Sequence, residues 1–158
     1  MWGQFDRSVT WRDVEWLERE WNGPLAIKGV MGDARGSIKS GATGVMISNH
    51  GGRQLNGAPA PAHQIAAIRE AVGDAPDVIC DGGIRRGSDI VKAIALGAMA
   101  CSIGRPYLYG LPAGGEAGLD RVLTLLSEEL EGTMALAGVN DSASLARRHV
   151  RERGRSKG

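Results

Sequence analysis

Four short apolar runs, each ending in a charged or glycine-rich turn, constrain this chain more than any other feature. They cover residues 25–28, 44–48, 77–81 and 98–103. Each is continuously apolar rather than alternating, the pattern of parallel strands covered on both faces. Segments of helical period separate them. Ile65, Ile68 and Val72 share one helix face. A brief helix is expected over 33–40, closed by Gly41, and Ser88 stands as the N-cap of a helix running to Leu96. Ahead of the first strand, Thr10 and Asp13 form a capping pattern. The helix they open carries an apolar stripe of Val14, Leu17 and Trp21 and stops at Asn22-Gly23-Pro24. A longer helix is expected over 116–130.

Strands alternating with helices place the chain in the α/β class, where ligands bind beyond the C-terminal ends of the strands. Four strands at this spacing match half of a TIM (β/α)8 barrel. A complete barrel takes roughly 250 residues, and this chain has 158. The expected fold is therefore a half barrel that cannot close by itself, with two sheet edges that favour association.

Composition narrows the function. The 19 Lys and Arg balance 18 Asp and Glu, which disfavours nucleic acid as a partner. No apolar run is long enough for a transmembrane segment, and the N-terminus lacks the pattern of a secretory signal, so a cytoplasmic protein is expected. Cys80 and Cys101, one in each of two strands, suggest small core residues rather than a disulfide or a zinc site. The 24 glycines are about twice the usual ~7%, and they fall between the apolar runs, where ligand loops sit.

The third and fourth loops suit a phosphate. Gly82-Gly83 lets the backbone approach an anion, the helix beginning near Ser88 offers free N–H groups, and Arg85 and Arg105 supply charge. Two ordinary glycine turns with solvated arginines are the alternative. His50 and Arg53, three residues apart around Gly51-Gly52, pair a proton acceptor with a carboxylate clamp. Such a pair suits a small acid with chemistry at the adjacent carbon. His63 and His149 read as structural. Lys28 closes an apolar strand, so it points at a ligand or an acid, or else marks an exposed strand end.

These residues resemble a known family. Lys28-Gly29-Val30, Ser48-Asn49-His50-Gly51-Gly52-Arg53-Gln54-Leu55, Asp81-Gly82-Gly83-Ile84-Arg85-Arg86-Gly87 and Ile103-Gly104-Arg105-Pro106 occur in this order. They are similar to the C-terminal half of the FMN-dependent α-hydroxy acid dehydrogenases and oxidases, over about residues 4–150. The resemblance implies FMN as cofactor and a small L-2-hydroxy acid, lactate-like, as substrate, oxidised to the 2-oxo acid. It implies His50 as base, Arg53 as substrate-carboxylate clamp and Lys28 beside the flavin N1/O2 edge. Ser48, Asp81, Gly82, Gly83, Ile84, Arg85, Gly104 and Arg105 are then flavin contacts. The electron acceptor stays open among oxygen, quinone and cytochrome.

The family's first four strands are missing, so a missing N-terminal half barrel or a homo-oligomer partner is implied. A catalytically inactive flavin- or phosphate-binding half barrel is the alternative. The segment from Lys28 to Asp33 is about two residues shorter than the family pattern, and Asn56 stands where the family has Asp. The domain is expected over 1–146, followed by a solvated basic tail over 147–158 that contains Arg147, Arg148, Arg151, Arg153, Arg155 and Lys157.

Overall fold

Small and β-branched residues build a four-stranded sheet. Its strands are β1 (Ala26–Lys28), β2 (Gly44–Ser48), β3 (Asp77–Asp81) and β4 (Ala100–Ser102). The structure, a computed structural model, describes residues 6–151. All strand pairs are parallel and the order is β1-β2-β3-β4. Register places Ser48 opposite Asp81 and Cys80 opposite Cys101.

Three helices connect the strands: α2 (Ala34–Lys39), α3 (Ile65–Val72) and α4 (Gly87–Ala95). Consecutive parallel strands joined by right-handed crossovers put all such helices on one side. The side chains facing them, Val45, Ile47, Val78 and Cys80, are 0% exposed. Each buried Val or Ile contributes roughly 1.5–3 kcal/mol. Alternate residues face the other way. Ala26, Lys28, Met46, Ile79, Asp81, Ala100 and Ser102 are only half-buried or exposed. This corrects the expectation of a sheet covered on both faces: among the described residues, no helix covers the second one.

Local signals set the helix ends. α1 (Trp11–Trp21) opens where the Asp13 carboxylate accepts the Thr10 N–H at 2.6 Å and its hydroxyl at 2.9 Å. Its stripe is amphipathic, yet none of its residues is buried, and Trp16, Leu17 and Trp21 stay exposed. Asp33 caps α2 by accepting the Gly36 N–H at 2.9 Å. The N-cap of α4 is Arg86 rather than Ser88, because the Asp89 carboxylate reaches back to the N–H groups of Arg85 and Arg86, both at 3.2 Å.

The last helix departs most from expectation. α5 spans Arg105–Leu136, with Pro106 in its first turn, and breaks at Gly114 and Gly115, which leave helical geometry. A proline early in a helix loses no needed N–H and marks a start, so the helix opens eleven residues before 116. Beyond the break α5 packs on α4 so closely that a Cβ on Gly87 would collide with the α5 backbone at Glu129 and Leu130. Val91, Ala95, Val139 and Leu145 form a second small core there, joined by Val150. His149 accepts the Ala146 N–H through Nδ1 at 3.0 Å. The basic residues Arg153, Arg155 and Lys157 lie outside the described residues. Among the described residues no helix is long and apolar enough to cross a membrane.

Candidate functional site

Parallel strands in register deliver their last residues to one edge, and all four of these residues are polar, Ser102 of β4 among them. Lys28 ends β1, Ser48 ends β2 and Asp81 ends β3. The Lys28 ammonium lies 2.8 Å from Asp81 Oδ2 and donates to Ser48 Oγ at 3.0 Å. Ser48, 1% exposed, donates to the same carboxylate at 2.5 Å. Lys28 thus meets an acid rather than marking a bare strand end. Burial alone would raise the Asp81 carboxyl. Hydrogen bonds from Lys28, Ser48 and Ser102, with the charge of Lys28, outweigh burial and hold it below the usual carboxylate range.

The loop after β2 is a single tight turn over His50–Gly52. His50 has a left-handed backbone (φ 54°), and its N–H donates to Ser48 Oγ at 3.1 Å. Asn49 Oδ1 accepts the Gly51 N–H at 3.1 Å. From across the cleft, the Arg105 guanidinium donates to the Gly51 carbonyl at 2.9 Å. Serine, asparagine and glycine each favour such local turns.

These elements surround a cleft of about 610 Å³, within the usual range of ligand sites. Ten of the residues singled out in the sequence line it: Lys28, His50, Arg53, Asp81, Gly82, Gly83, Ile84, Arg85, Gly104 and Arg105. Ser48 lies beneath them, hydrogen-bonded to three: Lys28, His50 and Asp81. His63 and His149 do not line it. Gln54, Ser102, Pro106 and Leu108 also line the cleft and were not singled out. Ser102 was findable as the last residue of its strand. Leu108 lies ahead of the helix expected over 116–130, in the first turn of the observed one.

One part of the anion reading needs correction. Just ahead of Ser88, the N–H groups of Arg85, Arg86 and Gly87 are not free. Asp89 takes those of Arg85 and Arg86, and Glu129 takes the Gly87 N–H at 2.9 Å and the Arg86 guanidinium at 3.2 Å. The helix that opens onto the cleft is α5, through Gly104 and Arg105. Among the described residues, the N–H groups of Gly83, Ile84 and Gly104 have no hydrogen-bond partner. Gly83, at φ 83°, has open space where a Cβ would stand. Backbone donors beside two guanidiniums make this end of the cleft suited to a phosphate.

The chain is similar to known proteins. The family model described as FMN-dependent dehydrogenase matches residues 1–152. An L-lactate dehydrogenase of Caulobacter vibrioides is 48% identical over 151 residues, 94% of this chain and 39% of its own length. Glycolate oxidase 3 of Oryza sativa subsp. indica is 49% identical over 150 residues, 93% of this chain and 41% of its own. Among solved structures, a soluble mutant of the membrane-associated (S)-mandelate dehydrogenase from Pseudomonas putida superposes with a TM-score of 0.89 at 46% identity. That match covers 92% of this chain and 42% of the other. The chain spans about two fifths of the length of the relatives it matches. Its architecture is that of half a (β/α)8 barrel.

Proposed function

The chain belongs to the FMN-dependent dehydrogenase family, and from that premise we propose that it carries the catalytic half of an enzyme oxidising a small L-2-hydroxy acid to its 2-oxo acid. One observation carries the reading: His50, Arg53 and Lys28 share a single cleft with the phosphate donors Arg85 and Arg105. The residues present fit FMN. The N–H groups of Gly83, Ile84 and Gly104 and two guanidiniums suit its phosphate. Lys28 and Ser48 bring polar groups from the ends of β1 and β2.

FMN, when bound, accepts the two electrons that leave the substrate. Arg53 grips the substrate carboxylate, by two parallel hydrogen bonds where geometry allows. That grip presents the hydroxyl-bearing carbon to His50, which takes up the proton released during oxidation. Lys28 supplies positive charge where negative charge develops. Asp81 balances that charge at rest and keeps the ammonium in place.

The edges of β1 and β4 have no strand partner among the described residues. A complementary half barrel, or a second copy, would pair with them and cover the open face. That open face favours a second reading, a catalytically inactive half barrel that binds flavin or phosphate. Anaerobic mixing of the FMN-loaded chain with L-lactate, glycolate or (S)-mandelate separates the two. Bleaching of the flavin absorbance by one acid, lost in His50→Ala, supports the enzyme. Bound flavin that no acid reduces supports the inactive module. A cytoplasmic location belongs to the same proposal; recovery of the chain with membranes on cell fractionation would overturn it.

A further inference from the structure

His50 is one of two non-glycine residues with positive φ among those described. An L-residue stays in that region only when its surroundings over-determine it. Two neighbours do so here. On the backbone side, Ser48 Oγ accepts the His50 N–H at 3.1 Å. That hydroxyl is itself pinned, donating to Asp81 at 2.5 Å and receiving from Lys28 at 3.0 Å. On the ring side stands Gly29. A Cβ placed there would fall 2.8 Å from His50 Cε1 and 3.4 Å from Nε2, so the imidazole lies against a bare Cα. Gly29 is no loose spacer, because its N–H donates to the Met46 carbonyl at 3.0 Å and prolongs the β1–β2 ladder.

We propose that Gly29 and Ser48 are positioning residues for the His50 imidazole, Gly29 as the seat of the ring and Ser48 as the lock on its backbone. The proposal rests on the reading of His50 as the base. A base must sit within about 0.5 Å of its productive place, and His50 itself is exposed, so burial does not hold it. The lock ends β2 and the seat directly follows β1, tied to β2 through the Met46 carbonyl, so ring and backbone are referenced to the sheet rather than to the loop.

The first test uses the unmodified chain. Nuclear Overhauser contacts are expected between the His50 Cε1 proton and the Gly29 Cα protons; their absence in folded protein overturns the seat. Ser48→Ala removes the acceptor and Ser48→Thr keeps a hydroxyl. The His50 amide is expected to exchange about five- to tenfold faster in Ser48→Ala, the effect of losing one hydrogen bond. Ser48→Thr should restore slow exchange, and the Val45 and Val78 amides should stay protected in both. Equal exchange at His50 in Ser48→Ala and the unmodified chain overturns the lock.

Gly29→Ala should displace the ring and abolish its contacts with residue 29. Alanine at φ 93° is strained, and if that variant does not fold, the unmodified chain and the Ser48 pair still decide. FMN binding is measured separately. Failure to bind FMN with the contacts intact would sink the functional reading and leave the positioning claim standing.

Discussion

The two faces of the sheet are built to different ends. On the helix side, Val45, Ile47, Val78 and Cys80 are fully enclosed, and the core is complete within the chain. On the other side, Met46 and Ile79 are only half-covered and Lys28 reaches into the cleft. The same strands supply both faces, one residue out of phase. The chain holds its fold with one face and leaves the other open beside the cleft. The polar network of Lys28, Ser48 and Asp81 sits at the rim of the open face, where donors and acceptors satisfy one another.

Substitutions on the two faces give the sharpest contrast. Ile47→Ala should cost about 2–5 kcal/mol, as a fully enclosed truncation does. Met46→Ala, its neighbour facing the other way, should cost under about 1 kcal/mol by urea unfolding, because little enclosed volume is emptied. Equal costs would mean that the open face is covered in solution, by a second copy or otherwise, and oligomer size would say which.

A smaller effect distinguishes the two helix starts near the cleft. Glu129→Ala strips the cap from Gly87 and should destabilise by about 1–2 kcal/mol, again by urea unfolding. No change would mean that the Glu129 carboxylate contributes nothing as a cap and that the Gly87 N–H is satisfied without it.

Asp81 adds a pH signature. Its folded carboxyl lies below the usual range, so its stabilisation is present above the unfolded value of about 3.9 and is lost as pH falls through the folded value. The stability difference between the unmodified chain and Asp81→Asn should therefore be largest above about pH 5 and shrink in more acidic solution. A gap that widens on acidification would contradict the ion pair.

The thiols report on the helix side. Burial pushes Cys80 up to about 11 and Cys101 up to about 12. Both should react slowly with a disulfide reagent at pH 8 and quickly in denaturant. Rapid labelling of the folded chain would show that the enclosed face opens.

Much of this was legible in the sequence because its signals are local. The ends of β2 and β3 follow from their apolar runs, and the His50-Gly51-Gly52-Arg53 turn announces itself by its glycines. The open face was not legible. Continuous apolar strands look the same whether both faces are covered within the chain or one waits for a partner. The Glu129 cap on Gly87 spans 42 residues, a separation no capping pattern encodes, so Ser88 looked like the better N-cap. The early start of α5 did have a signal, Pro106 after Gly104 and Arg105, but the glycines at 110, 114 and 115 masked it.

The central claim is that the strand-end cleft holds FMN by its phosphate loops. Titrating the folded chain with FMN and following flavin fluorescence tests it directly. The account predicts saturable binding, weakened about tenfold or more in Arg105→Ala, as loss of a charge-assisted contact implies, and unchanged in Arg86→Ala, whose guanidinium serves Glu129. Absence of saturable binding by the folded chain, or equal binding by both variants, would contradict it.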